Sequence, residues 1–190
     1  MNTNLETHGY SQFRTQCKCM GKVCRMVISN NSFFNFVSVE MVEKLNLQQL
    51  VHRIPYMAQG LHDRHQVEVR RQVYVPFNIG TYEDSILCDV IPVVGCHLIL
   101  GRAWQVEKHT LYDGALNSYT FKHGGRQVIL RSLKEDEASW RMPTSFLFER
   151  VGFLGQREQE EDKVDRKIAI DLVHQAYVEA QGVVDQTKIL

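Results

Sequence analysis

The chain has no excess charge of either sign: 22 Lys and Arg stand against 22 Asp and Glu, for a formal net charge of zero over 190 residues. A domain built to hold a nucleic-acid backbone shows a basic excess or a basic stripe, and neither stands out, so no nucleic-acid partner is expected. Long apolar runs are missing as well. None approaches the roughly 20 residues of a membrane span, so no membrane partner is expected. The opening MNTNLETHGY is polar and lacks the apolar segment of a secretory signal. Cysteine is sparse, odd in number at five, and irregularly spaced. This predicts free thiols in a reducing intracellular compartment, with cytoplasm and nucleus not distinguished, rather than a disulfide framework.

Metal and nucleophile patterns are equally thin. Cys17 and Cys19, followed by Cys24, lack a suitable fourth ligand for a structural zinc set. His62 and His65 fall in a polar loop, and Cys96 and His97 are neighbours on a short strand, where adjacent side chains face opposite ways. No cofactor or metal is expected. The chain shows no internal repeat.

What is present is a succession of short strands. Phe13 to Cys19 alternates weakly, Gly21-Lys22 reads as a turn, and Val23 to Ile28 is a β-branched apolar run; together they predict a hairpin. A polar loop, Ser29-Asn30-Asn31-Ser32, ends that strand, and the apolar block Phe33, Phe34, Phe36 and Val37 follows, expected to face a core. Ser38 is placed to cap a helix from Val39 to Leu45, with Val39, Met41, Val42 and Leu45 on one face. Candidate strands at 54–59 and 66–70 flank the polar segment Gly60 to His65, a plausible hairpin tip. Val73, Val75, Phe77 and Ile79 alternate strictly, as a half-buried strand does. Gly80 to Asp84 turns the chain, Ser85 to Val90 returns, and Pro92 stops it. His97 to Leu100 is a short buried strand, followed by a helix from Arg102. Tyr119–Phe121 and Val128–Leu130 form the last expected hairpin.

These features predict a mainly β fold, a small closed barrel with one or two short helices, long enough to bury a real core. Residues 1–12 read as a loose tail and 13–134 as the domain. Residues 135–162 read as a charged, partly disordered linker around an apolar island at 146–154. Residues 163–181 carry apolar side chains at helical spacing and predict an amphipathic helix, and 182–190 form a last tail.

The order of these elements resembles the retropepsin-like aspartic protease domain, and in particular the protease regions of gypsy-class long-terminal-repeat retrotransposon polyproteins. The resemblance is carried by Phe13-Arg14-Thr15, Gly21 to Cys24, Asn35 to Ser38, Val42 to Leu45, Cys88 to Pro92, Cys96 to Arg102, Trp104-Gln105, Asp113-Gly114 and Asn117 to Phe121. It implies a homodimer, a flap at Gln59, Gly60, Leu61 and His62 over an extended peptide, and a scaffold of Leu100, Gly101 and Arg102 beneath the catalytic loop.

The family's catalytic signature is Asp-Ser/Thr-Gly. At that place this chain has Ser29, Asn30 and Asn31, so all three positions depart from the pattern. Aspartic proteases hold two carboxylates about 3 Å apart that share one proton, one serving as base toward water and the other as acid toward the carbonyl. With one carboxylate from each subunit, two-fold symmetry removes both when Asp becomes Ser. Asn31 tolerates the left-handed turn that a glycine favours, so the loop is still expected to fold. Asp63, Asp89 and Asp113 are expected to be structural and not replacements. The resemblance therefore implies an aspartic endopeptidase scaffold whose catalysis has been lost. The alternative is a non-catalytic peptide-binding or dimerisation module that uses the former cleft.

Overall fold

The computed structural model describes residues 12–60, 66–134 and 148–153. Its first elements follow from local sequence. The strand β1, Phe13–Cys19, buries alternate residues, and β2, Lys22–Ile28, returns antiparallel from it. The turn is Met20-Gly21, one residue earlier than the sequence suggests, and both residues have positive φ. Such a two-residue turn matches the twist of the strands it joins, and Gly21 enters it without steric cost.

After the loop, β3 (Phe36–Ser38) leads directly into α1 (Val39–Lys44). Ser38 caps it as expected: its Oγ accepts the Met41 N–H at 3.0 Å. Met41 and Val42 form the buried face. Phe36 and Val37 enter the core, whereas Phe33 stays exposed and Phe34 is half-buried, so only half of that aromatic block behaves as core.

Two long strands follow, β4 (Gln49–Gly60) and β5 (Gln66–Ile79). They pair antiparallel, with an irregularity between Val51 and Tyr56. Residues 61–65 of the expected hairpin tip, Leu61 and His62 among them, lie outside the described residues. Val73, Val75 and Phe77 point inward as their alternation requires. β6 (Tyr82–Ile91) begins inside the segment read as a turn, because Tyr82 is drawn into the core against Phe77 and Phe121. β7 (Leu98–Leu100) is fully buried and runs into α2 (Arg102–Glu107). β8 (Leu111–Asp113), β9 (Ser118–His123) and β10 (Arg126–Arg131) form a separate three-stranded sheet.

The main sheet has the order β1-β2-β7-β3-β6-β5-β4, and a pairing of Lys18 with Asn78 joins β1 to β5 and makes a ring. Inside it, β2 pairs parallel with β7, and β3 parallel with β6. β3 also pairs antiparallel with β7, and with the β2–β7 contact this brings the end of β2, the start of β3 and the end of β7 to one place. Two buried clusters flank them. One is centred on Met26, Leu98, Leu100 and Trp104, and the other on Val27, Phe36, Tyr56, Val69 and Ile99. Consecutive residues of β2 and β7 thus feed opposite clusters, which requires strands that are apolar on both faces.

One element falls where a linker is expected. Phe148–Phe153 forms a strand, β11, which pairs antiparallel with the outer edge of β4. The apolar island at 146–154 therefore contributes a strand to the main sheet. The amphipathic helix expected at 163–181 lies outside the described residues, as do the first eleven residues.

Candidate functional site

The loop Ser29 to Ser32 joins β2 to β3, which flank β7 on either side. The Ser29 N–H donates to the Leu100 carbonyl at 2.9 Å, which continues the β2–β7 register by one residue. The Ser29 carbonyl accepts from Gln105 Nε2 at 3.2 Å, so α2 grips the loop from its other side. The Ser29 side chain is buried, and its Oγ accepts the Asn31 N–H at 3.3 Å. Asn30 is exposed, with its Oδ1 accepting from Tyr119 Oη at 3.4 Å. Ser32 is buried and donates to the Phe34 carbonyl at 2.8 Å, closing the loop on itself.

Gly101 lies beneath this loop with no room for a side chain. A Cβ placed on it would lie 2.2 Å from the Phe34 carbonyl oxygen and 2.8 Å from that of Phe33. Both obstacles are backbone, so neither can swing away. The Gly101 N–H donates to Asn35 Oδ1 at 3.0 Å, and the next two amides, of Arg102 and Ala103, donate to the Ser32 and Phe33 carbonyls. Three successive N–H groups at the start of α2 are thereby satisfied by the loop and the residues after it. The Arg102 guanidinium stacks over the Phe33 ring at 5.4 Å. The scaffold expected at Leu100, Gly101 and Arg102 is thus in contact with Ser29 to Asn35.

The expected flap belongs to β4 and β5, and its base is tied to the site by aromatic contact. Tyr56 on β4 packs on Phe34 at 5.5 Å. Gln59 and Gly60 end β4, at its hairpin end. Below them, Asp89 is buried on β6 and accepts three hydrogen bonds or charge contacts. Its donors are Tyr56 Oη at 2.5 Å, Gln72 Nε2 at 2.8 Å and His52 Nε2 at 3.4 Å. His52 Nδ1 accepts the Ile54 N–H, which leaves Nε2 to face the carboxylate. Asp89 therefore ties β4 and β5 to β6. Asp113 is structural too: its Oδ1 accepts the N–H groups of Ala115 and Leu116 in a turn. Asp63 lies outside the described residues.

This geometry has a definite chemical content. Among the described residues, the hydrogen bonds of Ser29 and Asn30 run to Leu100, Gln105, Asn31 and Tyr119, none of them an acid or a histidine. Among the described residues no group of three or more His, Cys, Asp or Glu is placed to hold a metal ion. The cysteines are buried and free, Cys96 in the core as expected. Among the described residues no helix is long and apolar enough to cross a membrane.

The protein is similar in structure to the crystal structure of the retroviral protease-like domain of Ddi1 from Leishmania major, with a TM-score of 0.50 and 13% sequence identity. The match covers 66% of this chain and 97% of that one. The fold is retropepsin-like. No protein-family profile matches the chain, and no curated protein matches it in sequence. The sequence reading did not include Gln105 or Tyr119 among the loop's partners, and gave Asp89 a structural role without its donors. Gln105 lies inside a matched run, so its presence was visible but its bond to Ser29 was not. The Asp89 donors come from two other strands, at residues 52, 56 and 72, and no local pattern connects them.

Proposed function

We propose that the chain is a retrotransposon-derived, retropepsin-like aspartic protease domain that has lost peptidase activity. The observation that carries this reading is the loop itself. It is held by bonds to Leu100, to the Gln105 side chain and to the start of α2, and Ser29 stands where the family resemblance puts the acid. General acid–base catalysis is worth about 100- to 10,000-fold per group, and loss of the carboxylate removes at least that much.

The test sets the natural protein beside a variant carrying Ser29→Asp, Asn30→Ser and Asn31→Gly, on a pooled peptide library from acidic to neutral pH. Cleavage by the variant alone, blocked by a pepstatin-like inhibitor, supports the reading. Cleavage by the natural protein at a comparable rate overturns it. Activity in the variant requires the homodimer that the family resemblance implies, so sedimentation of the same samples reads that expectation directly.

A second reading is favoured by the strand on the outer edge of β4. In it the domain is a non-catalytic module that binds an extended peptide, or dimerises, through the flap and the former cleft. Peptide binding without cleavage supports this reading.

A further inference from the structure

A strand at a sheet edge presents unpaired N–H and C=O groups and readily takes up another strand. In this chain β5 covers one side of β4, and the other side is covered by β11. The pairing runs Phe148 to Gly60, Glu149 to Gln59 and Arg150 to Ala58, then resumes at Gly152 with Met57 and Phe153 with Tyr56. It therefore covers the half of β4 next to the hairpin end, including Gln59 and Gly60. Tyr56, at the far end of this pairing, is the residue that touches Phe34 beside the Ser29 loop. The register shifts between Arg150 and Gly152, which breaks the ladder in its middle. The strand is separated from the end of β10 at Arg131 by residues 132–147. A segment joined covalently to the domain meets its edge as an intramolecular event, which favours it over a free peptide of equal intrinsic affinity.

We propose that the outer edge of β4 is a strand-accepting site for an extended peptide, and that residues 148–153 of the same chain occupy it as an internal competitor. The segment already seated there defines the partner class: a short extended stretch, such as residues 148–153, that pairs antiparallel with β4 through its main chain. Recognition is by main-chain pairing, so it tolerates varied sequence, and peptide binding requires release of β11. The partner class rests on the peptide-binding reading of the flap, whereas the occupancy of the edge rests on strand pairing alone.

The experiment uses the full chain and a Glu149→Pro, Arg150→Pro variant. In a strand, alternate N–H groups face the same neighbour, so one of these two prolines must remove a bond to β4. A fluorescent peptide of residues 145–155 is titrated onto both proteins, and amide exchange is followed at Ala58 and Gln59. The expected result is binding to the variant at least 10-fold tighter than to the natural chain, with faster exchange at β4 in the variant. Equal or weaker binding by the variant overturns the proposal, as does unchanged exchange at β4. A natural chain that is a dimer, with the variant a monomer, assigns the seated strand to a second copy and overturns the intrachain occupancy. The Ser29→Asp assay is separate, so either reading can fail without the other.

Discussion

Tyr56 donates to Asp89 across 2.5 Å, and this bond fastens the long strand β4 to β6, the strand that pairs with β3 just after the Ser29 loop. Asp89 is buried, so each donor around it offsets the desolvation of a carboxylate. Replacing Tyr56 with Phe keeps the ring in its contact with Phe34 and removes only the hydroxyl. We expect Tyr56→Phe to cost about 1–3 kcal/mol, the usual effect of leaving a buried charged group one donor short. Asp89→Asn should cost a similar amount. Urea unfolding measures both, and a change within about 0.5 kcal/mol would show that the anchor contributes nothing.

Gly101→Ala should be far more harmful than its single methyl suggests. The new Cβ would meet the Phe34 carbonyl oxygen at 2.2 Å, and that carbonyl belongs to the segment leaving the Ser29 loop. We expect a loss of about 3 kcal/mol or more, because the backbone of β7, the loop or α2 must shift. A thermal midpoint within two degrees of the natural protein would contradict the packing described.

Stability should fall in acid through Asp84. Burial pushes its carboxyl upward, but hydrogen bonds from Tyr82 and Lys108 outweigh that and hold it below the ordinary carboxylate value. A depressed folded-state value means the contribution is present above about pH 4 and is lost as pH falls through the folded value. Lys108 is shifted the other way: burial lowers it, but Asp84 and Glu107 raise it above the usual lysine value. Its contribution is present below the ordinary lysine value and is lost as pH rises past it. Asp84→Asn should therefore flatten the acid limb of the stability profile, as read by urea midpoints from pH 2 to 6. An unchanged acid limb would remove Asp84 from the account.

The five cysteines should resist labelling in the folded protein, since all are buried. Burial pushes Cys19 up to about 11 and Cys96 up to about 12, which suppresses their thiolates at neutral pH. Cys24 is the exception. A hydrogen bond from Cys17, its partner across the hairpin, lowers its thiol while raising that of Cys17, and His97 lowers it further. Mass mapping after brief alkylation at pH 7 should find Cys24 modified first, and all five modified in urea. Earlier modification of Cys96 than of Cys24 would contradict this.

Much of the molecule is written locally in its sequence. The hairpin of β1 and β2, the Ser38 cap, the alternation of Val73, Val75 and Phe77, and the stop at Pro92 each depend on a few neighbouring residues, and each is found as expected. The chemical character of Ser29-Asn30-Asn31 is equally local, because the absence of a carboxylate needs no structure to be seen. What tertiary structure decided is how distant pieces meet. The parallel pairings of β2 with β7 and β3 with β6 join residues 50 or more apart in the chain, and apolar strands such as these carry no mark of their partner. Gln105 bonds to Ser29, and Asp89 to His52, Tyr56 and Gln72, only because those pairings fix where the side chains lie. The segment 148–153 reads as an apolar island between charged stretches, and it becomes a strand only because β4 offers it an open edge, a backbone interaction that side-chain patterns hardly encode.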